Sequence, residues 1–337
     1  MQIFITLDYE LYLQEPAENI DLSLIEPTTQ FLHILSEYNL KSVFFVDAGY
    51  LYALKRQKSL FPKLESDYNK LVAQIKHIQT LGHEIALHIH PHWQDCTFTG
   101  TEWKMDLTRY KLADFPKKEA AEIFKIYYAE LKELVSGKIV SYRSGGWCLE
   151  PFDYIRDAMK DAGIYIDSTV YEGGYSKTDT HYFDFREYPK KEIWRFSIDP
   201  SIEDPNGEFL ELPAVSHKLS PLLYWRVLFN TLKGKSSKNN TGKGVRPSFK
   251  EVCKKLLFNT LDPVSIDSYK SAMLLKTFKE NEFTARRFFC VIGHPKCFTN
   301  LTYQNLHAFI RYALSKGHQF SVFREAFPVP PANGQPD

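Results

Sequence analysis

Short apolar runs alternate with longer amphipathic segments along most of this chain. The runs at 2–8 (QIFITLD) and 41–47 (KSVFFVD) are typical of buried strands, because they are short and rich in β-favouring residues. Further strands are predicted at 83–88, 138–143, 164–169, 209–214, 287–293 and 319–323. Apolar residues at helical spacing predict helices near 27–39, 64–78, 120–134, 151–162 and 306–314. This alternation indicates an α/β fold with a mainly parallel sheet, and six or seven repeats favour a closed barrel over an open sheet.

Two regions interrupt the alternation. Residues 172–207 are rich in Tyr, Asp, Gly and Pro and show few clear periods. Residues 215–265 begin with the apolar SPLLYWRVLFNTL and continue into a basic stretch, so we interpret them as an insertion in a single domain spanning 1–325. We expect KSSKNNTGKG, within that insertion, to be mobile and the tail 326–337 to be disordered.

Composition and charge exclude several classes of protein. The 337 residues carry a formal net charge of +1, so no strong field points to nucleic acid as a partner. The five cysteines are scattered and form no CxxC pair, which is typical of free thiols in a reducing compartment. The N-terminal segment has no basic region and carries Asp8 and Glu10, so we predict no signal peptide. No apolar run is long enough for a membrane-spanning helix, and we therefore expect a cytoplasmic protein.

Ionisable residues lie at the ends of the predicted strands. Asp8 and Glu10 stand at the end of the first strand, and side chains at i and i+2 share a face if the strand persists that far. Because the strand ends of a parallel barrel share one face, on which sites are built, we expect the polar residues of these strands to converge on one cavity. The others are His88, Arg143, Asp167, Glu211 and His294. Paired carboxylates can divide labour, one binding a cation and one moving a proton; the alternative is an ordinary acidic loop.

The segment 83–93, HEIALHIHPHW, holds four of the eleven histidines of the chain. His88 and His92 can converge on one metal ion whether the chain turns or stays extended, whereas the role of His90 stays open. Imidazole together with carboxylate is a catalytic rather than a structural zinc arrangement, so we favour a metal site over a surface cluster without a role. We place His83 at the opposite end of the barrel. No role is assigned to His33, His77, His181, His217, His307 and His318.

Five motifs in chain order, LDYE, HIHPH, YRSGGW, DST and GHP, resemble those of the polysaccharide deacetylases, carbohydrate esterase family four. The resemblance covers roughly residues 1–170 and 208–325 and leaves out the middle insertion. It implies a distorted (β/α)7 barrel of the polysaccharide deacetylase type. It also implies a hydrolase that uses a divalent metal, expected to be zinc, to remove an N-acyl group, expected to be acetyl, from an amino sugar.

The resemblance also implies roles for individual residues. It makes Asp8 the general base and His294 the general acid, with Arg143 orienting the base, and the metal pair falls on His88 and His92. The second aspartate of the family's first motif falls on Tyr9, which is a departure. Glu10 could supply the missing metal ligand from the same face, and Asp8 is a possible further ligand.

The substrate-binding residues implied by the resemblance are Gly146, Trp147, Asp167 and Glu211. A backbone N–H near Gly146 would help to bind the oxyanion, although SGGW stands where the family has two prolines and an aromatic residue. Two carboxylates, Asp167 and Glu211, compete as the group that supports His294.

The substrate expected for a cytoplasmic member of this family is a sugar nucleotide or a lipid-linked saccharide of a surface polysaccharide or glycolipid pathway. Between residues 233 and 255 eight Lys and Arg stand against one acid, and an apolar stretch precedes them. Residues 219–256 could therefore contact an anionic membrane; the alternative is a helix packed on the barrel and a solvated loop. Two other functions stay open: a non-catalytic sugar-binding barrel, because Tyr9 breaks the usual metal pair, and an amidase acting on a non-sugar amide such as a ureide or formamide.

Overall fold

Strands and helices alternate through the computed structural model, which describes residues 1–12, 19–178, 180–232 and 249–328. The strands are β1 (Gln2–Tyr9), β2 (Val43–Asp47), β3 (Glu84–Ile89), β4 (Thr97–Phe98), β5 (Trp103–Lys104), β6 (Ser141–Ser144), β7 (Ile166–Asp167), β8 (Tyr175–Lys177), β9 (Tyr182–Asp184), β10 (Trp194–Phe196), β11 (Phe209–Glu211), β12 (Ser216–Leu219), β13 (Thr260–Pro263), β14 (Phe288–Gly293) and β15 (Gln319–Phe320). The helices are α1 (Glu26–Glu37), α2 (Ala48–Gln57), α3 (Pro62–Thr80), α4 (Lys117–Lys132), α5 (Arg156–Asp161), α6 (Pro221–Leu232), α7 (Phe249–Leu257), α8 (Leu274–Glu282), α9 (Asn300–Ser315) and α10 (Phe323–Ala326).

Nine of the described strands form one curled sheet. Its order is β10, β11, β7, β6, β3, β2, β1 and β14, and β15 pairs with the start of β1. Every pair along this path is parallel except β10 with β11. Isolated parallel bridges join Tyr171 to Ala214 and Ser265 to Ile292. The predicted α/β architecture with a mainly parallel sheet is thus the observed one.

Side chains of the sheet alternate between two hydrophobic cores, as the two-residue period of a strand requires. Along β1, Ile3 and Leu7 belong to the larger core, which the helices share. Phe4, on the other face, belongs to a smaller core with Phe323 of α10. The face that carries Phe4 continues to Asp8, so its character changes from apolar to ionisable towards the carboxyl end of the strand.

Strand register brings the ionisable side chains of neighbouring strands side by side. In β3, His88 is paired with Asp47 of β2 on one side and with Arg143 of β6 on the other. Leu7 of β1 pairs with Gly293 of β14, so the next residues along, Asp8 and His294, lie next to each other. The sheet therefore gathers these groups at one edge.

The region predicted as an insertion forms an antiparallel pair, β12 with β13, and two helices, α6 and α7, that lie between them in the chain. We call α6 and α7 the helical hairpin. The segment KSSKNNTGKG lies outside the described residues, as does the predicted tail from residue 329 onwards.

Candidate active site

A cavity of about 290 Å³ opens at the carboxyl ends of β1, β3 and β14. The structure brings most of the sequence-predicted site residues to it, namely Asp8, Glu10, His88, His92, Gly146, Trp147 and His294. Arg143 lies directly beneath, while Asp167 and Glu211 do not line the cavity. Residues without a predicted role also line it, among them Asp47, His90, Tyr110, His181, Asp267 and Lys296.

Arg143 fixes the Asp8 carboxylate from below. Its Nη1 donates to Asp8 Oδ1 at 2.6 Å, its Nη2 donates to Thr6 Oγ1 at 3.0 Å, and its Nε donates to the Ser168 carbonyl at 2.8 Å. The guanidinium carbon also lies 4.1 Å from the centre of the Phe45 ring. Burial opposes ionisation of Asp8, yet Arg143, together with His294 and His88, outweighs it and holds the pKa of Asp8 well below its usual value. Asp8 is therefore an oriented carboxylate whose second oxygen is left to face the cavity.

Glu10, His88 and His90 form a buried cluster that could hold a metal ion, with ligand atoms within 4.8 Å of one another. Glu10 Oε2 lies 3.2 Å from His88 Nε2 and is in close contact with His90 Nε2. The other oxygen, Oε1, accepts a hydrogen bond from Lys296 Nζ at 2.8 Å. Burial would raise the pKa of Glu10, but Lys296 and the imidazoles hold it well below its usual range.

Hydrogen bonding fixes which nitrogen of His88 can bind a cation. Nδ1 lies 2.8 Å from the Arg143 carbonyl oxygen, which can only accept, so Nδ1 carries the proton. In the neutral ring the lone pair is then on Nε2, which faces Glu10. A lone pair and a carboxylate oxygen at this distance repel each other unless a cation joins them, which is either a proton on Nε2, favoured by the raised pKa of His88 beside Asp8 and Glu10, or a bound metal ion. A carbonyl that orients a ligating histidine is typical of metal sites. The residues present thus fit a divalent metal ion.

His92 lies outside this cluster, which differs from the ligand pair that the motif spacing implied. Its ring stacks on Tyr110, with centroids 5.8 Å apart and an interplanar angle of 5°. Neither ring nitrogen makes a hydrogen bond with the described part of the protein, and Nδ1 of His90 has no such partner either. Burial, together with the neighbouring His90, lowers the pKa of His92 well below its usual value. The extended chain at His90, before Pro91, places His90 rather than His92 against Glu10.

Asp267, and neither Asp167 nor Glu211, supports His294. Its Oδ2 accepts from His294 Nδ1 at 2.7 Å, and its Oδ1 accepts from the His294 backbone N–H at 2.7 Å. His294 Nε2 then points into the cavity, 3.5 Å from Asp8 Oδ2 and 3.7 Å from Glu10 Oε1. Burial disfavours the imidazolium, but Asp267 and Asp8 raise the pKa of His294 well above its usual value. The ring is thus held as a proton donor that faces Asp8.

Asp167 and Glu211 form a sealed pair behind Arg143. They are register partners in β7 and β11, and both are fully buried. Asp167 accepts from Thr169 Oγ1 at 2.7 Å, and Glu211 accepts from the Val170 backbone N–H at 3.1 Å. Burial, strengthened by Asp167, raises the pKa of Glu211 well above its usual value. The pKa of Asp167 is raised as well, so we expect the pair to hold a proton inside the fold. Neither residue lines the cavity, although the resemblance implies that both bind substrate.

The glycines of SGGW allow a close approach to the histidine segment. A Cβ on Gly145 would lie 2.6 Å from His90 Nδ1, so only glycine fits there. Gly146 and Trp147 have φ of 61° and 65°, the left-handed region that a tryptophan rarely adopts. Such strain is found where a side chain is held for function, and here it presents the Trp147 indole to the cavity.

Tyr9 points away from the cavity. Its hydroxyl donates to Gln74 Oε1 at 2.5 Å, and the ring belongs to the larger core. β1 ends at Tyr9, yet Asp8 and Glu10 still line the same cavity. The departure from the family motif therefore lies on the opposite face from the site.

His83 directly precedes β3, at the other end of the strand from His88, as predicted for it. It accepts from the Ser42 backbone N–H at 3.0 Å, and burial lowers its pKa to about 4. His181, to which the sequence assigned no role, lines the cavity and lies with its ring centroid 4.4 Å from that of Tyr110.

Weak sequence signals accompany the residues that the sequence analysis missed. Asp267 ends VSID, in which Val264 and Ile266 alternate with polar residues, a pattern typical of a short strand. Lys296 follows His294 by two positions in GHPK. His181 and Tyr110 lie in irregular segments, and nothing in their local sequence indicates a role.

Comparisons with known proteins show the fold. No family profile and no curated protein sequence matches this chain. The structure of Puue allantoinase matches with a TM-score of 0.50 and 13% identity over 96% of this chain and 88% of that one. A candidate polysaccharide deacetylase from Mycobacterium smegmatis matches with a TM-score of 0.45 and 15% identity over 92% and 81%. The polysaccharide deacetylase Bc1974 from Bacillus cereus matches with a TM-score of 0.42 and 11% identity over 98% and 95%.

At these identities the likeness concerns the fold alone. It confirms the distorted (β/α)7 type of α/β architecture that the motifs implied. Among the described residues, no helix is both long and apolar enough to cross a membrane.

Proposed function

We propose that this protein is a metal-dependent hydrolase that removes an N-acyl group, acetyl in the first instance, from an amino sugar. One observation carries the proposal. A compact carboxylate–imidazole cluster, Glu10 with His88 and His90, shares a cavity with an oriented base, Asp8, and an oriented acid, His294. This combination suits amide hydrolysis, in which the base activates the water and the acid protonates the amine so that it can leave.

The metal ligands in this proposal are Glu10 and His88, completed by His90 or His92, and Asp8 is a further candidate. Zinc suits imidazole and carboxylate ligands with an open position. When bound, the cation would lower the pKa of a water ligand and polarise the amide carbonyl.

The remaining chemistry belongs to the chain itself. Asp8, held by Arg143 through Oδ1, accepts the proton of the attacking water at Oδ2. A backbone N–H near Gly146 donates to the developing oxyanion, an interaction worth about 3–4 kcal/mol in comparable sites. His294, held by Asp267, donates its Nε2 proton to the departing amine. The short distance between Asp8 and His294 would let the proton return and reset the site.

The test is acyl release combined with metal analysis of the purified protein. We expect acetate release from at least one member of a panel of N-acetylated saccharides, and about one equivalent of divalent metal per chain. A protein that binds these saccharides without metal and without release would be the non-catalytic sugar-binding barrel instead. Hydrolysis of a ureide or formamide alone would favour an amidase for a non-sugar amide. These compounds belong in the panel because the fold is similar to that of Puue allantoinase.

The helical hairpin carries exposed apolar side chains that could bring the protein to a membrane-bound substrate. Along α6 the side chains of Leu222, Trp225 and Phe229 lie on one face at helical spacing and are 77%, 40% and 54% exposed. Leu257 and Phe258, at the end of α7, are 66% and 64% exposed. The chain between the two helices is rich in Lys and Arg. An exposed apolar helix face followed in the sequence by a basic segment is typical of chains that bind anionic bilayers, with about 1 kcal/mol for each basic residue that comes near the surface.

We therefore propose a cytoplasmic enzyme that contacts the inner face of the membrane and meets a lipid-linked saccharide there; a sugar nucleotide is the alternative substrate. Vesicle sedimentation tests the contact. Trp225→Ser with Phe229→Ser should abolish pelleting with phosphatidylglycerol vesicles. Phe283→Ser, which removes a still more exposed aromatic residue directly after α8, should not. Equal pelleting of both variants would refute the membrane contact.

A further inference from the structure

A pocket of about 460 Å³ lies apart from the candidate active site, and we call it the second pocket. Among the described residues, it shares none with the wall of the active-site cavity, and its volume lies in the range of small-molecule sites. Most of its wall comes from the region 172–207, which interrupts the alternation of strands and helices and has no part in the proposed function. The other lining residues are Val170, Pro213, Thr284 and Arg286.

Rigid rings form the apolar part of this wall. Apart from Val170, the apolar side chains that line the pocket all carry a ring. They are Phe185, Tyr188, Pro189, Trp194 and Pro213. The Tyr188 hydroxyl donates to Glu150 Oε1 at 2.6 Å, and the Trp194 indole N–H donates to the Pro200 carbonyl at 2.8 Å. Both polar atoms thus have partners outside the pocket, so these side chains mainly offer ring surface, on which a flat apolar body packs well.

The charged part of the wall is cationic in balance. Four cations line the pocket against two acids, which leaves a difference of two positive charges. The cations are Arg186, Lys190, Lys191 and Arg286, and the acids are Glu172 and Glu192. Both acids are already occupied, because Glu172 is in close contact with Arg286 and Glu192 Oε2 accepts from two backbone N–H groups at 2.7 Å. The wall therefore favours an anion over a cation.

Lys190 is the cation that remains for a ligand. Arg186 is held by Asp184 at 2.6 Å and Lys191 by Glu203 at 2.6 Å, in each case by an acid that does not line the pocket. The Lys190 side chain is exposed and forms no ion pair within the described part of the chain. Its ammonium group can therefore meet an anion at the rim of the pocket.

We propose that the second pocket binds an organic anion with a flat aromatic body and one negatively charged group. The body would pack on the rings of the wall, and the charge would pair with Lys190. A neutral saccharide fits this wall less well, because Thr284 and Tyr188 are the neutral polar side chains among its described residues. The site goes beyond the proposed hydrolysis, since it shares no described residue with the reaction cavity.

Calorimetric titration of the full chain with three small compounds tests the site. Naphthalene-1-sulfonate carries both the ring and the charge, naphthalene-1-methanol keeps the ring without the charge, and octane-1-sulfonate keeps the charge without the ring. Sulfonates stay anionic at the working pH and are weak metal ligands, so the candidate metal site does not compete for them. We expect naphthalene-1-sulfonate to bind at one site per chain, about tenfold or more tightly than either of the others, equivalent to about 1.4 kcal/mol.

Two matched charge reversals locate the binding. Lys190→Glu should weaken the binding of naphthalene-1-sulfonate by about tenfold or more and leave the affinity for naphthalene-1-methanol unchanged. Lys138→Glu makes the same change at an exposed lysine that does not line the pocket, and it should leave both affinities unchanged. Because both side chains are exposed, we expect both variants to keep the fold, which circular dichroism checks.

Three outcomes would overturn the proposal: no binding of naphthalene-1-sulfonate, equal affinity for the anionic and the neutral ring compound, or equal effects of Lys190→Glu and Lys138→Glu. Tighter binding of octane-1-sulfonate would assign a chain-shaped anion instead and overturn the aromatic part of the proposal. Acetate release has no part in these measurements, so they can fail or succeed whether or not the protein hydrolyses an N-acyl sugar.

Discussion

Two pairs of buried acids, at equivalent ends of parallel strands, behave in opposite ways. Asp8 and Glu10 are nearly inaccessible, as are Asp167 and Glu211. Burial pushes all four towards the neutral form, yet only the first pair is held ionised, with pKa values below the usual range. The difference lies in the neighbouring charges. Arg143, Lys296 and imidazoles surround the first pair, whereas the main charged neighbour of each acid in the second pair is the other acid.

This contrast shows why position at a strand end is insufficient to assign a role. A carboxylate that faces cations and a cavity can bind metal or move a proton, whereas two carboxylates in contact must share a proton. Asp167 and Glu211 have the position of site residues and the environment of a structural pair. Four substitutions can break or sharpen this comparison.

The largest effect is expected for His294→Ala, on the functional side. Removing the acid that faces Asp8 should lower turnover by about 10²–10⁴-fold, because protonation of the leaving amine is lost. The metal content should be unchanged, since His294 is outside the Glu10 cluster. Steady-state acetate release and elemental analysis measure the two quantities.

A histidine on the far surface serves as the control for that substitution. His307, whose Nδ1 lies 3.0 Å from the Tyr38 hydroxyl, is outside the cavity, so His307→Ala should retain turnover. Loss of metal in His294→Ala would place His294 among the ligands and contradict its role as the acid.

Arg143→Met should destabilise the fold by about 3–5 kcal/mol, because it leaves the Asp8 carboxylate buried without its counter-charge. Methionine keeps most of the apolar volume over Phe45. Urea unfolding followed by circular dichroism measures the free energy. The double variant Arg143→Met with Asp8→Asn should recover part of the loss, and a failure to recover any would mean that packing, and not charge, explains it.

Glu211→Gln tests the sealed pair through pH. Since the folded state raises the pKa of Glu211, its contribution to stability is present below the usual pKa and is lost as pH rises through the folded value. The free energy of unfolding of the unsubstituted protein should therefore fall with rising pH, by up to about 1.4 kcal/mol per pH unit and per proton. Glu211→Gln should flatten this slope, as measured by urea unfolding between pH 5 and pH 9. An unaltered slope would argue against a protonated Glu211.

The smallest effect is expected for Tyr9→Phe, which removes one buried hydrogen bond to Gln74 and should cost about 1 kcal/mol of stability. Metal content and turnover should stay at their original values, because Tyr9 faces the core. A large loss of metal would instead show that Tyr9 supports the metal site, and would contradict its place on the opposite face of the strand.

Much of the sheet was predictable from short apolar runs. The strands predicted at 2–8 and 287–293 agree with β1 and β14 to within a residue, because both are buried on two faces and read as continuous apolar segments. α2 was missed, since it follows β2 without a turn and its buried residues have no clear helical period. Its start depends on Asp47, which caps it by accepting from the Gly49 and Tyr50 backbone N–H groups.

The candidate site was predictable in part. The motifs name Asp8, Glu10, His88 and His294, and all four line one cavity. Asp267 contacts His294 and lies on a segment that the motifs do not cover. Lys296 contacts Glu10 and directly follows the GHP motif, outside its three residues. The roles proposed for all these residues await the experiments above.

The sequence by itself determined the alternation of strands and helices and the chemistry available at the strand ends, because both follow from local periodicity and residue type. The tertiary structure decided which of these ionisable side chains contact one another. Whether His90 or His92 meets Glu10, and whether Asp267 or Glu211 supports His294, depends on the path of the chain after β3 and before β14. Contacts between residues that are 80 or 27 positions apart are set by packing, and packing also decides which buried carboxylates keep their charge.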